Sequence, residues 1–248
     1  MATAADADYR VRIFTPNGEL PFAGHPSIGT AWLLARLGRI PTGPVRQDCG
    51  AGIVALDVSA EGATLTGGPA AVSEPLDAAP LLAAVGLDAG DLTGVRPRTA
   101  GTGLDWTYLP VAEAAVARAE PDWPVVRRVT SAQGIAVLSW DAGTRRVHLR
   151  ALTEGFEDPA TGSAALGLGV FLAASGLVPD GSTDYAISQG GEIGRPSLLS
   201  GRVTVAGGQV REVAVTGGVV PVATGEITPP TWAFLAKATR SGCTPSCW

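Results

Sequence analysis

The sequence predicts an α/β protein built from two similar lobes, in which each lobe is a curled mixed sheet wrapped around a buried central helix. Three observations lead to this fold class. Short runs of alternating polar and apolar residues recur in both halves of the chain. Each half also contains one nearly chargeless helix after a glycine-rich turn, and the two halves can be aligned on these helix starts. A helix that is apolar all round needs a sheet curled about it to be buried.

The composition is that of a compact globular protein and excludes several functional classes. Of the 248 residues, 46% are hydrophobic and 17% are charged, and the net charge is −5 without a basic stripe, so nucleic acid is not an expected partner. The N-terminus has neither a basic start nor an apolar run, which argues against a signal peptide. The longest largely apolar stretch, residues 160–175, is shorter than the roughly 20 residues that span a bilayer. We therefore expect no membrane partner and a cytoplasmic location.

The first half begins with a predicted strand over residues 9–14, where polar and apolar side chains alternate. A helix follows, framed by Pro26 near its start and Gly38 just past its end, as capping stereochemistry favours. Arg36 is the one charged side chain between Ser27 and the end of this helix, so we expect the helix to be buried on every side. Further strand-like runs complete the half, at residues 52–58, 63–66 and 107–111.

The second half repeats this order after a proline-rich linker at residues 120–124. Two predicted strands lead to an acidic loop, a chargeless helix over residues 160–175 follows, and more strand-like runs and a last helix at residues 231–238 end the half. The linker predicts an N-terminal lobe over residues 1–120, a C-terminal lobe over 125–240 and a flexible tail over 241–248. Of the three cysteines, Cys49 is expected to be a buried, inert thiol, whereas Cys243 and Cys247 lie in the tail.

The repeat aligns the two helix starts residue by residue. Placing Asp158 on His25 also aligns Pro159 with Pro26, Gly162 with Gly29, Ala164 with Ala31 and Leu166 with Leu33. Each half then reads as strand, loop, glycine-rich turn, buried helix and further strands. This order predicts that the two helix starts face each other across one cleft.

Both helix starts have the composition of an anion-binding site. A helix N-terminus carries unpaired N–H groups and about half a positive charge. Small residues let a ligand approach those groups closely, and both starts are rich in them: Gly24 and Ser27 in the first, Thr161, Gly162 and Ser163 in the second. We therefore expect a small carboxylated substrate between them.

His25 and Asp158 occupy equivalent positions in the repeat and are the candidate proton-transfer pair. Taken separately, Asp158 could be a plain helix N-cap and His25 a hydrogen-bonded core residue. Their pairing favours two titratable groups on opposite faces of a ligand, which suits moving a proton. Glu19 could face the cleft or cap a turn, and these two interpretations are equally supported. His148 lies mid-strand, which favours a structural role.

Three segments resemble the signatures of a known family, the PhzF-like phenazine-biosynthesis isomerases. Residues 12–16 followed by 19–26, with Ala23-Gly24-His25-Pro26, resemble the first signature. Residues 157–164 resemble the second, and Gln189-Gly190 with residues 194–197 resembles the third. The three stand in order and together cover most of the chain.

The resemblance implies the diaminopimelate-epimerase-like fold and isomerisation by proton transfer without a cofactor or metal, commonly in secondary or antibiotic metabolism and often in a homodimer. It carries the catalytic roles to Asp158 and His25. Substrate contacts carry over to Ser163 and to the Gly24 and Gly162 amides, and Thr161, Gln189 and Gly190 are further expected contacts. The epimerase relatives use two cysteines at the helix starts, and this chain has none there.

One departure from the family bears on catalysis. Its members normally begin with a further strand and helix carrying a Ser-Glu-Thr motif that holds the main general base, and no Ser-Glu-Thr occurs in this sequence. We therefore expect that first unit to be absent. Three explanations stay open: a start assigned too late, a separate polypeptide that supplies the segment, or chemistry reassigned to residues such as Asp158. A proton-shift isomerase is the leading prediction, with a degenerate ligand-binding or scaffold protein and a shape-directed cyclase as alternatives.

Overall fold

The computed structural model describes residues 6–15, 18–153 and 155–226. Its helices are α1 (Gly24–Arg36), α2 (Ala78–Ala84), α3 (Glu113–Arg118), α4 (Trp123–Val129) and α5 (Gly162–Ala174), with a 3₁₀ turn at Ala89–Asp91. Its strands are β1 (Tyr9–Arg10), β2 (Ile13–Thr15), β3 (Gly18–Leu20), β4 (Gly43–Cys49), β5 (Gly52–Val58), β6 (Gly62–Thr66), β7 (Ala71–Val72), β8 (Arg98–Gly101), β9 (Asp105–Pro110), β10 (Ile135–Asp141), β11 (Arg146–Leu152), β12 (Glu157–Asp158), β13 (Gly181–Gln189), β14 (Ser197–Ala206) and β15 (Gln209–Gly218).

Thirteen of these strands form one mixed sheet, while β2 and β3 form a separate hairpin. The sheet order is β1-β4-β5-β6-β15-β14-β13-β11-β10-β9-β8-β7, and β12 pairs with β11. Strand β15 joins the two halves, because it pairs with β14 on one edge and with β6 on the other. The sheet curls around both long helices: α1 packs on β4, β5, β6 and β15, and α5 packs on β8, β9, β14 and β15. The predicted fold class is confirmed.

The two central helices differ in how completely the sheet covers them. Ten of the 13 residues of α5 are buried, including Leu166, Leu168 and Phe171, as expected for a helix without charge. In α1 only one face is buried, and Leu33 and Leu37 are 47% and 60% exposed. The expectation that this helix is buried on every side is therefore wrong. Burial of an apolar helix depends on how many strands surround it, which its own composition does not determine.

Strands that precede the predicted linker pair with strands that follow it. β9 pairs with β10 in parallel, so β7, β8 and β9 continue the sheet of the second half. Helices α2, α3 and α4 cover the outer face of this part with a second apolar cluster around Leu81, Val116 and Leu152. Because the sheet runs across the linker, the division into lobes at residues 1–120 and 125–240 stays a prediction.

Some predictions fall outside the described residues, namely the last helix at 231–238 and the tail with Cys243 and Cys247. Cys49 is a free, buried thiol, as predicted. None of the helices in the described ranges is long and apolar enough to span a membrane.

Candidate active site

The first residues of α1 and α5 lie against each other, backbone to backbone. A methyl group added to Gly24 would lie 2.9 Å from the Gly162 Cα atom, and one added to Gly162 would lie 3.0 Å from the Gly24 Cα atom. A side chain at either position would prevent this approach. The N-cap residues, Ala23 and Thr161, make no side-chain cap hydrogen bond. The two helix starts therefore face each other as the repeat predicts, but they touch at Gly24 and Gly162 and leave no cleft for a substrate at that point. Their first N–H groups are left for a ligand or water beside the contact.

A cavity of about 500 Å³ opens beside this contact and contains both predicted proton-transfer residues. His25, the second residue of α1, is exposed at its wall. Asp158, the last residue of β12, is half-buried there. The rest of the lining is Pro159, Ala160, Gly194, Arg195, Pro196 and Ser197. The structure thus brings together the two residues that the repeat paired.

The Asp158 carboxylate is oriented by its own loop. Its Oδ2 atom accepts a hydrogen bond from Thr161 Oγ1 at 2.8 Å, and its Oδ1 atom lies 3.4 Å from the Ala160 N–H group. The N-cap of α5 is Thr161, so the interpretation of Asp158 as a plain N-cap is wrong. Because the contact to Oδ1 is long and weak, this oxygen keeps lone pairs for a ligand.

Gln189 supports this arrangement from the end of β13. Its side chain is 2% exposed, and its Nε2 atom donates to Thr161 Oγ1 at 2.9 Å and to the Asp158 carbonyl at 2.6 Å. Its Oε1 atom accepts from the Thr161 N–H group at 3.2 Å. Because Gln189 Nε2 donates to the Thr161 hydroxyl oxygen, the hydroxyl proton points to Asp158. Neither Thr161 nor Gln189 lines the cavity, so their predicted ligand contacts stay predictions.

Glu157, next to Asp158, is held by a buried ion pair. Arg150 contacts both of its carboxylate oxygens, at 2.7 and 3.1 Å, and the two side chains are 8% and 5% exposed. The Arg150 Nη1 atom donates to the Val116 and Ala119 carbonyls. Buried charges are tolerated when they are paired and hydrogen-bonded in this way. The pair fixes β12, and with it Asp158, to β11 and α3.

Ser163, in the first turn of α5, receives a hydrogen bond that the sequence did not predict. Trp106 of β9 donates to its Oγ atom through Nε1 at 3.0 Å. Trp106 is 2% exposed, whereas Ser163 is half-buried. Since an indole N–H can only donate, the Ser163 hydroxyl must accept here, and its own proton remains available for an anion. Ser163 does not line the cavity that holds His25 and Asp158.

Arg195 is the cavity residue that the predicted site lacked. It lies in the loop after β13 and lines the cavity, and its guanidinium makes no hydrogen bond or ion pair within the described part of the chain. A guanidinium without a protein partner suits bidentate binding of a carboxylate. Its place in the third signature was a usable signal, since an arginine beside Gly194 and Pro196 in a turn is presented to solvent.

Glu19 and Gly190 are placed differently from the cavity residues. Arg12 contacts both carboxylate oxygens of Glu19, at 2.6 and 2.9 Å, across the hairpin of β2 and β3. This hydrogen-bonded contact lowers the pKa of Glu19. Glu19 does not line the cavity.

Gly190, with φ of 78°, packs against Pro159, where an added methyl group would lie 2.9 Å from the Pro159 carbonyl oxygen. It serves a close backbone approach, and a ligand contact at Gly190 stays a prediction.

Within the described ranges, no group of three or more His, Cys, Asp or Glu side chains is arranged to hold a metal ion.

The sequence matches a protein-family model described as phenazine biosynthesis-like protein over residues 1–225 of the chain. The chain belongs to this family. Its membership confirms the resemblance that the three sequence signatures indicate.

Relatives within the phenazine biosynthesis-like family carry isomerase and epimerase names. The chain is 34% identical over 239 residues to a trans-2,3-dihydro-3-hydroxyanthranilate isomerase of Pseudomonas aeruginosa, covering 89% of this chain and 79% of that protein. A solved structure of a predicted epimerase from Pseudomonas aeruginosa is 32% identical, with a TM-score of 0.75 and coverage of 92% and 82%. A phenazine-biosynthesis protein of the PhzF family from Bacillus anthracis, 21% identical with a TM-score of 0.76 and coverage of 87% and 79%, shows the shared fold.

Proposed function

We propose that this protein is an isomerase that moves a proton, and with it a double bond, in a small carboxylated metabolite of secondary metabolism, without a cofactor. The observation that carries the proposal is the single cavity in which His25, Asp158 and Arg195 meet beside two uncapped helix starts. The isomerase names of its relatives support the same class of reaction. The relatives named for trans-2,3-dihydro-3-hydroxyanthranilate suggest a cyclic, carboxylated substrate.

The proposed substrate complex places the carboxylate on Arg195 and on the N–H groups of the helix starts. Arg195 supplies a guanidinium without a protein partner, and the two helix dipoles supply fixed partial positive charge. The Oδ1 atom of Asp158 then faces the ligand, because Thr161 holds the other oxygen. His25 stands on the α1 side of the same cavity.

The proposed reaction transfers one proton between two carbons of the substrate. Asp158 removes a proton from carbon, and the electron pair moves into the conjugated system as an enolate-like anion. The same positive charges that bind the carboxylate stabilise that anion, which is how oxyanion sites lower barriers. A proton returns to a second carbon from Asp158 or from His25, and proton exchange between these two groups restores the starting state.

Solvent-deuterium incorporation tests the role of Asp158. We expect the wild-type chain to convert trans-2,3-dihydro-3-hydroxyanthranilate, or a related carboxylated diene, with uptake of one deuterium from D₂O. Asp158→Asn keeps the shape but removes the base, and should lower the rate by about 10²- to 10⁴-fold. Unchanged turnover in this variant would remove Asp158 from the mechanism. Binding of the probe without any exchange in the wild type would favour a ligand-binding protein, and activity that survives in a His25/Asp158 double variant would favour a shape-directed cyclase.

For partners, we propose a homodimer, as the family resemblance implies. The exposed apolar face of α1 around Leu33 and Leu37 is compatible with cover by another chain. Sedimentation equilibrium of the purified chain would test this. A monomer that gains activity only with an added polypeptide would favour the alternative, in which a separate chain supplies a segment of the site.

A further inference from the structure

His148 lies between two carboxylates on the outer side of the sheet. Its Nδ1 atom lies 2.9 Å from Glu113 Oε1, and its Nε2 atom lies 2.7 Å from Glu192 Oε1. Glu113, at the start of α3, also accepts a hydrogen bond from the Ser139 hydroxyl, and these contacts lower the pKa of its carboxyl group. Both carboxylates can accept a hydrogen bond from the ring at the same time only when both ring nitrogens carry a proton.

Glu192 belongs to the same loop as Arg195. The loop, residues 190–196, connects β13 to β14 and closes on itself through two backbone hydrogen bonds: Gly194 N to Gly191 O at 3.1 Å and Arg195 N to Gly190 O at 2.9 Å. Within the described structure, the Glu192 side chain is the one in this loop that bonds to a side chain of another element, namely His148 of β11.

The exposure of the two carboxylates indicates which contact is the stronger anchor. The Glu192 side chain is 17% exposed, whereas that of Glu113 is 71% exposed. Removing the hydrogen-bond partner costs more free energy for a carboxylate that is mostly withdrawn from water than for one that water can solvate. Glu113 also has the Ser139 hydroxyl as a second partner, so an imidazole with a single ring proton can keep its bond to Glu192.

We propose that His148 and Glu192 are positioning residues that hold the loop so that Arg195 faces the cavity. The inference rests on the proposed function, in which Arg195 binds the substrate carboxylate. The other charged side chains near His148, Asp141 and Arg146, line a separate cavity beside His148 and not the one that holds Asp158. A further cavity, lined by His148, shares Pro196 and Ser197 with the cavity that holds Asp158.

Two matched variants of the full chain test the anchor, because each removes one carboxylate from the same imidazole. In Glu192→Ala, amide hydrogen exchange of a peptide covering residues 190–196 should become at least about 10-fold faster, as expected for losing a hydrogen bond to a charged group. In Glu113→Ala, exchange in that peptide should stay within about two-fold of the wild type. Glu192→Gln keeps an acceptor for the His148 N–H group and should recover most of the protection.

Kinetics connect the anchor to the reaction. With trans-2,3-dihydro-3-hydroxyanthranilate as probe, Glu192→Ala should raise KM about 10-fold and change kcat by less than about three-fold, since the anchor affects binding of the carboxylate and not the proton transfer. Unchanged exchange in Glu192→Ala would overturn the anchor, whatever the reaction. Faster exchange with unchanged KM would overturn the link to Arg195. An equal loss of protection in Glu113→Ala would show general destabilisation of β11 and would also overturn the inference.

Discussion

Replacing Thr161 with valine should slow proton transfer about 10- to 100-fold while the protein stays folded. The Thr161 hydroxyl donates to Asp158 Oδ2 at 2.8 Å, and a hydrogen bond to a charged group contributes about 1.5–3 kcal/mol. If this bond orients the catalytic carboxylate, its loss appears in the barrier, where about 1.4 kcal/mol corresponds to a factor of ten in rate. Valine has a similar shape, so the packing around this buried side chain should change little.

The assay is deuterium incorporation into the substrate, measured beside thermal unfolding of the same preparation. The variant also removes the Thr161 hydroxyl as an acceptor for Gln189 Nε2 and leaves it the Asp158 carbonyl, which should cost about 1–3 kcal/mol of stability. Thr161→Ser restores the hydroxyl and serves as the control. The reasoning fails if valine leaves kcat unchanged, or if serine is as slow as valine.

Two further predictions concern the helix starts. Trp106→Phe removes the hydrogen-bond donor to Ser163, so the Ser163 hydroxyl becomes free to rotate. Steady-state kinetics should then show a KM for the carboxylated probe that is about three- to ten-fold higher, with kcat within about two-fold of the wild type. Gly24→Ala places a methyl group 2.9 Å from the backbone of the facing helix and should destabilise the fold by about 1–3 kcal/mol in urea unfolding. Gly29→Ala, where the added methyl group would have no neighbour within 4 Å apart from the adjacent residues and the helix's own backbone, should be neutral or stabilising by up to about 1 kcal/mol. Equal losses in both variants would contradict the contact.

The sequence predicted the part of the site that depends on local pattern. The repeat paired His25 with Asp158, and the small residues at Gly24 and Gly162 indicated two helix starts that a ligand can approach closely. These inferences need only the helix capping rules and the alignment of the two halves. The family that the three sequence signatures resemble is also the family whose model matches residues 1–225.

The supporting contacts could not be predicted, because they join residues far apart in the chain. Trp106 reaches Ser163 across 57 positions, and Gln189 reaches Thr161 across 28. Alternation can place Trp106 on a strand, but not opposite a particular helix residue. Arg195 was overlooked because the conformation of a glycine-rich loop depends on anchors outside it. The exposed face of α1 was not predicted, because the apolar composition of a helix does not determine how many strands surround it.

The contact between Gly24 and Gly162 has an electrostatic consequence for stability. Each helix start carries about half a positive charge, and here the two ends with the same sign of charge are pressed together with no side chain between them. Their repulsion at such close range is of order 1 kcal/mol at the effective dielectric of a protein surface. The empty protein therefore retains an unfavourable interaction that a bound anion removes. Occupancy and folding are thus coupled, and any small anion that binds beside the two helix starts should raise the melting temperature before it takes part in chemistry.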